Sequence, residues 1–388
     1  MTAPSPPLPS AAADTAPVPD DDLAAAMRPF GESTMLPATA YTSADVLAWE
    51  QRHFFAASWV CLGRADAVPA AGVTQTATTV GDVAVLLARD PSGALSAYAN
   101  TCRHRGHELL PDGGTSARRA VVCPYHAWSY DLAGSLIAAP GFGEVTSFDP
   151  GEHGLVRLPV RTWQGWVFVN ALGNEPSFEA HLGGLTDLVA PYRPESLVLG
   201  ATHDYVVAAN WKVVTENYHE CYHCPLIHPE LCQVSPPTSG SNFDLPGAWV
   251  GGSMDLAEDA VTMSLDGHSD GRPLPGVDPR QVLYLGLLPN LLLSLHPDYV
   301  MTHRMTPLAP GETQVQCAWY FSDAGVDPAY AVEFWDTTNR QDWRACESVQ
   351  RGLASPHFRP GPLAPSEDAV HQLVTRIARG YREGVLPS

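Results

Sequence analysis

The stretch Asn100–Gly134, NTCRHRGHELLPDGGTSARRAVVCPYHAWSYDLAG, carries two metal-ligand pairs. Cys102-Arg103-His104 is a Cys-x-His pair, and Cys123-Pro124-Tyr125-His126 is a Cys-x-x-His pair, with residues 105–122 between them. Two thiolates for one iron and two imidazoles for the other make the ligand set of a Rieske [2Fe–2S] centre. Histidine ligation there raises the potential above that of all-cysteine clusters. The competing reading is a Cys2His2 zinc site. Zinc-finger histidines fall together after the cysteines, whereas here Cys and His alternate across two loops, which favours the cluster. Gly106, Pro124 and Gly134 suit tight loops that turn backbone N–H groups toward the sulfurs.

Outward from this stretch the text is β-rich. From Trp59 to about Phe168, runs such as VTQTATTV, VAVLLARD and ALSAYAN alternate with the turn signals VGDV, DPSGAL and DLAGSL. That pattern predicts a small antiparallel β domain, with GWVFVNA as its last strand. Upstream, TSADVLAWEQRHFF (Thr42–Phe55) reads as a helix capped by Thr42 or Ser43. The Pro-, Ala- and Asp-rich opening reads as a disordered tail.

Downstream, helices are expected near Phe178–Tyr192 and Trp211–Cys224, and strands near Val282–Ser294, Met301–Pro307 and Gln314–Phe321. A long helical stretch, AYAVEFWDTTNRQDWRACESVQRGLAS, and a last helix from Ser366 to about Tyr381 follow. The fold class is therefore α+β. Residues 1–40 form the tail, 41–175 the antiparallel β domain with its leading helix, and 176–388 a domain of helices on an antiparallel sheet.

A net charge of −20 argues against nucleic acid or an anionic membrane as the main partner. The longest apolar run, VLYLGLLPNLLLSL (Val282–Leu295), is too short to span a bilayer and contains Gly and Pro. The N-terminus has no basic start and no apolar core, so no secretory signal is read there and a cytoplasmic location is expected. In a reducing compartment, paired cysteines more often bind metal than form disulfides.

A second stretch, YHECYHCPLIH (Tyr218–His228), supports three overlapping patterns. His219-Glu220-x-x-His223 spells a zinc-protease motif, Cys221-x-x-Cys224 a redox or zinc pair, and Glu220-x-x-His223 followed by His228 a carboxylate with two histidines. A thioredoxin-like Cys pair follows a strand and opens a helix. This one is expected to close a helix, which Pro225 would end.

CRHRG followed by CPYHAWSYDLAG closely resembles the Rieske non-haem iron oxygenase large subunits, and the likeness covers nearly everything after the first forty residues. A zinc protease has no use for a one-electron donor, whereas an oxygen-activating iron does, held by two histidines and a carboxylate with open positions for O₂ and substrate. The family pattern falls here on Asn210-Trp211-Lys212, Glu216-Asn217, Glu220, His223 and His228. The resemblance implies that His223 and His228 are iron ligands and that Glu220 is the bridging carboxylate to a cluster histidine of a neighbouring subunit. Many relatives carry Asp at that position, so Glu220 is a departure. Asn217 is a plausible group beside the metal. His219, Cys221 and Cys224 are then packing residues. The third ligand is Asp342 in preference to Asp336, with Glu347 nearby, and the family likeness places Asp342 at the opening of a helix.

The same resemblance implies a helix-grip-like catalytic domain, Cys102, His104, Cys123 and His126 on a [2Fe–2S] cluster, and mononuclear Fe(II). It also implies electrons from NAD(P)H through a ferredoxin or flavin reductase, a small-molecule substrate with O₂, and a head-to-tail homotrimer. Arg103, Arg105, Arg118 and Arg119 cluster on the loops around the iron–sulfur ligands, either as a docking patch for an acidic donor or as solvated side chains. The C-terminal half resembles the glycine-betaine, choline and stachydrine oxygenases, whose quaternary ammonium substrates need aromatic faces. Trp249, Tyr284, Tyr299, Phe334 and Trp335 are the candidates for such a cage. Two alternatives stay open: a dioxygenase hydroxylating an aromatic acid, and an electron carrier with no chemistry of its own.

Overall fold

The computed structural model describes residues 15–174 and 176–387. They divide into two compact units, residues 50–178 and residues 15–49 together with 179–387. Residues 41–49 thus belong with the second unit, whereas the sequence placed them with the first.

The first unit is antiparallel throughout. Val60–Arg64, Trp166–Val169 and Val160–Trp163 form one three-stranded sheet. Gln75–Val80, Val83–Arg89 and Leu95–Ala99 form the centre of a five-stranded one. Ala120–Val122, Ser129–Asp131 and Leu136–Ala138 make a small third sheet. The core under the ligand loops contains Leu86, Tyr98, Trp128 and Tyr130 with both candidate thiols, Cys102 and Cys123. Gly134 turns between two strands at φ +88°, and a Cβ there would lie 2.5 Å from the Tyr98 ring. A side chain at that position would meet both backbone strain and overlap.

The second unit is a seven-stranded antiparallel sheet covered by helices. Its order runs Val198–Val207, Glu312–Phe321, Tyr299–Ala309, Leu291–Leu295, Gln281–Leu287, Trp249–Asp255, Ser241–Asn242. The register of these strands puts Tyr205, Cys317, His303, Ser294, Tyr284 and Gly286 on one face. The helix Ala329–Leu353 crosses that face: Asn339 pairs with His303 (3.1 Å) and Trp335 donates to the Tyr299 hydroxyl (2.7 Å). The helix Trp211–Tyr218 packs beside it, with the Thr215 hydroxyl 3.7 Å from the Met305 sulfur and Tyr218 donating to Leu293 O (2.8 Å). Asn210 starts this helix, its side chain accepting from Lys212 N at 3.0 Å, a cap worth about 1 kcal/mol. Helices on one face of an antiparallel sheet are the α+β layout expected.

One expectation needs correction here. The disordered tail was placed over residues 1–40. Residues 1–14 lie outside the described residues, but 15–40 are ordered. Asp20–Ala26 is a helix with three acids in its first turn, which suits the positive end of the helix dipole, and it buries Leu23 and Ala26. Ala16 N bonds Tyr381 O at 2.9 Å, so this segment packs on the helix Asp368–Glu383. The helix expected over Thr42–Phe55 is helical over Ala44–Glu50, with Ser43 Oγ accepting from Val46 N, and widens to a π-turn over Gln51–Ala56. Among the described residues, no helix is long and apolar enough to cross a membrane.

Candidate functional site: an iron–sulfur loop pair and a two-histidine, one-carboxylate centre

The two ligand loops of the first unit are closed by their own backbones. Cys102 N bonds His107 O (2.8 Å) and Gly106 N bonds Cys102 O (3.0 Å). In the second loop Cys123 N bonds Trp128 O (2.8 Å) and Ala127 N bonds Cys123 O (3.1 Å). Both sulfurs are buried, while His104 is half-buried and His126 exposed, with ring centroids 4.9 Å apart. Trp128 stacks on His104 at 4.9 Å. The Tyr130 hydroxyl accepts from Arg103 N (3.0 Å) and lies 3.4 Å from Cys102 Sγ, within reach to donate to a cysteine thiolate there. Two buried thiols with a hydrogen-bond donor, facing two imidazoles near solvent, fit a [2Fe–2S] cluster whose histidine-ligated iron is outermost. Tyr130 was not among the sequence candidates, although it stands four residues after His126. Arg103, Arg105, Arg118 and Arg119 are all exposed.

In the second unit the helix Trp211–Tyr218 stops at His219. Pro225 does not end that helix, contrary to expectation. It stands in the first turn of a separate short helix, Cys224–Ile227, where a residue without an N–H costs nothing. His223 and His228 flank this single turn, and their Nε2 atoms come within 3.1 Å. His219 and His223 therefore never share a helix face, and the zinc-protease pattern has no structural counterpart. Burial drives the His219 pKa down to about 3, so it stays neutral. Cys221 and Cys224, expected as independent packing residues, are joined as a disulfide.

Asp342 comes from the middle of Ala329–Leu353 and not from a helix start, correcting the sequence reading. Its Oδ1 lies 2.8 Å from His228 Nε2 and 3.3 Å from His223 Nε2. Donor atoms of the three residues all fall within 4.8 Å of one another. Asp336 is elsewhere, accepting from Tyr205 and from Arg340 Nε (2.7 Å). Glu347 accepts from Ala208 N (3.3 Å).

Each histidine is held from behind. Glu220 binds His223 Nδ1 and also accepts from His223 N (3.2 Å), while Gln341 Oε1 lies 2.7 Å from His228 Nδ1. An oxygen on each Nδ1 leaves both Nε2 atoms free to ligate. Burial opposes the charge on His223, but the bonds to Asp342 and Glu220 prevail and raise its pKa to about 9. Burial likewise pushes Asp342 up, and its bonds to His223 and His228 more than reverse that, so it stays ionised. Two imidazoles and one carboxylate, with no fourth His, Cys, Asp or Glu in the group among the described residues, fit an iron(II) site with open positions. Gln341 was missed because only its neighbour Asp342 was sought. Asn217 sits half-buried on the last turn of its helix and, among the described residues, bonds none of the three donors.

Three of the five aromatic candidates come together. Tyr284 and Trp335 lie 6.2 Å apart between ring centroids, and Trp335 donates to the Tyr299 hydroxyl. His296 completes the group, stacked on Tyr299 at 4.1 Å and 5.5 Å from Trp335. Trp335 precedes Asp342 by two turns on the same helix face, about 10 Å along the axis. Two candidates are excluded from the group. Trp249 pairs with Leu287, on the sheet face opposite Tyr284, and donates to Pro246 O (3.0 Å). Phe334 is fully buried beside Trp335 and points to another side of the helix.

Residues 58–149 match the Rieske [2Fe-2S] domain, and residues 194–383 match the ring hydroxylating alpha subunit (catalytic domain). The glycine betaine monooxygenase oxygenase subunit of Chromohalobacter salexigens is 31% identical over 392 residues, covering 89% of this chain and 86% of its own. The carnitine monooxygenase oxygenase subunit of Escherichia coli is 36% identical over 200 residues, 51% of this chain and 53% of that one. A quaternary ammonium Rieske monooxygenase solved with L-carnitine superposes with a TM-score of 0.74 at 25% identity, covering 94% of this chain and 99% of that one. Naphthalene 1,2-dioxygenase from Rhodococcus shares the fold, with a TM-score of 0.70 at 17% identity over 90% of this chain and 94% of that one.

Proposed function

The chain belongs to the Rieske non-haem iron oxygenase large subunits, and from that premise we propose that it is the oxygenase component of a monooxygenase that oxidises an N-methyl group of a small quaternary ammonium compound such as glycine betaine. The observation that carries this choice is the meeting of Tyr284 and Tyr299, on the helix-covered sheet face, with Trp335 of the covering helix, two turns from Asp342. A cation that cannot donate hydrogen bonds is recognised through ring quadrupoles.

When bound, the [2Fe–2S] cluster and the iron supply one-electron transfer and O₂ activation, with electrons reaching the cluster from NAD(P)H through a reductase. Cys102, Cys123, His104 and His126 would hold the cluster, and His223, His228 and Asp342 the iron. Glu220 keeps the His223 proton on Nδ1, and Gln341 does the same for His228, so both rings present Nε2 in one orientation. The aromatic group orients the substrate by its cationic end. Hydroxylation at an N-methyl carbon gives a carbinolamine, which releases formaldehyde and the demethylated amine.

We assign electron relay to residues 50–178 and oxygen chemistry to 179–387. Glu220 would bridge to a cluster histidine of a second copy, in a cytoplasmic homotrimer. Support for this is the position of Glu220 behind His223, beside the exposed Tyr222 and Leu226.

The test is NAD(P)H- and O₂-dependent formaldehyde release from a panel of betaines with a surrogate reductase. Stoichiometric formaldehyde from a quaternary ammonium is the expected result. A cis-dihydrodiol from an aromatic acid, with no formaldehyde from any betaine, would overturn it in favour of the ring-hydroxylating alternative.

A further inference from the structure

The aromatic group contains polar atoms that the fold does not use. Trp335 Nε1 donates to the Tyr299 hydroxyl, which donates to Met263 O (3.0 Å), so these two residues are satisfied internally. His296 is not. It is fully buried, and neither Nδ1 nor Nε2 has a partner. The buried hydroxyl of Tyr284 also lacks a partner. The two rings stand edge-on at 6.4 Å between centroids, both against Trp335. A buried polar group left unpaired costs free energy each time, and native chains rarely leave several together.

Resting on the quaternary ammonium reading, we propose that His296 and Tyr284 form the polar end of the substrate site and bind the carboxylate of a betaine while Trp335 and Tyr299 face its ammonium group. Burial keeps His296 neutral, so it offers one N–H, and Tyr284 offers its O–H. Two neutral donors suit the anionic end of a molecule whose total charge is zero. The nearest buried acid in this region, Asp298, is already engaged, accepting from Thr262, Ser269 and Tyr330. It therefore does not compete for these donors. The subsite ranks ligands by their acceptors: a carboxylate takes both donors, the choline hydroxyl takes fewer, and tetramethylammonium takes none.

The test uses the reconstituted holoenzyme and two shape-preserving variants, Tyr284→Phe and His296→Phe, checked for unchanged melting temperature and iron content. Each should raise KM for glycine betaine about tenfold or more, the usual worth of a hydrogen bond to a charged group. The kcat should stay within a few-fold. For tetramethylammonium, which offers no acceptor, the rise in KM under Tyr284→Phe should be several-fold smaller than for glycine betaine. Calorimetric titration with glycine betaine should give the same loss in affinity. Unchanged KM and affinity for glycine betaine, or an equal loss for tetramethylammonium, would overturn the subsite and leave ordered water as the partner of these atoms. Should the wild type release no formaldehyde from any of the three compounds, the N-demethylation reading fails on its own, and calorimetry with glycine betaine still decides the subsite.

Discussion

Replacing Gly286 by alanine tests how closely the iron loop is seated on the sheet. Gly286 is in ordinary extended backbone, so only space is at stake. A Cβ there would stand 2.3 Å from His219 Nε2, 2.8 Å from His219 Cε1 and 3.1 Å from Leu292 Cδ2. Unstrained contacts of this kind lie at about 3.5–4.0 Å, so His219 must retreat by roughly 1 Å or more. His219 is fully packed, and overfilling such a place costs about 1–3 kcal/mol. In a unit of this size that is a fall in Tm of about 2–12 °C. Because His219 adjoins Glu220, the displacement also reaches the Glu220–His223 bond, so formaldehyde release should fall further than stability alone accounts for. Thermal melts of Gly286→Ala, His219→Ala and the double variant form a cycle in which the alanine methyl is tolerated once the imidazole is gone. A coupling of about 1 kcal/mol or more is expected, with a small residue left by Leu292. An equal loss from Gly286→Ala in both backgrounds, or none in either, would refute the steric argument.

Asp342→Asn should release iron on dialysis, whereas Asp336→Asn, which disturbs Tyr205, Arg340 and His203, should keep it; metal analysis of the two decides between them. Glu220→Gln keeps a side chain behind His223 but loses the charge, and should cut turnover or iron affinity about 10–100-fold, with Glu220→Asp intermediate in both assays. Burial raises the pKa of Glu216 to about 8, against opposing help from Tyr41 and Lys212. A raised pKa in the folded state means that this residue's contribution is fully present below its ordinary value of 4.5 and is lost as pH rises toward 8. Relative to Glu216→Gln, the wild type should therefore lose stability between those limits, by at most about 1.4 kcal/mol per pH unit, and level off above them. Denaturant melts across that range would show a flat difference if Glu216 were not buried as a neutral acid.

Local spacing made most of the grouping of the candidate donors legible. Cys102 and His104, Cys123 and His126, and His223 and His228 are each close in sequence, and a turn is enough to unite them. Asp342 needed the long helix to bring it back, and Gln341 was invisible because its partner His228 lies far away in the chain. Helix phase could have separated Phe334 from Trp335, since only the latter is two whole turns from Asp342. Strand parity could have excluded Trp249, but the pairing of Gly252 with Tyr284 is set by non-local register. Pro225 misled because a proline that stops one helix is equally at home in the first turn of the next. The acidic opening misled by composition: its three aspartates begin a helix that docks through Leu23 and Ala26.

Two of the three proposed iron donors ride on one short turn, and the third arrives from a helix more than a hundred residues later in the chain. An ion held there would staple a small surface loop to that long helix. That loop is well exposed, with Leu226 at 92% and Tyr222 at 65% accessibility. Stripping the ion with a chelator should open the backbone between them to cleavage well before the sheet beneath gives way. Metal content would thus govern how long the enzyme survives in a proteolytic environment as well as whether it can work.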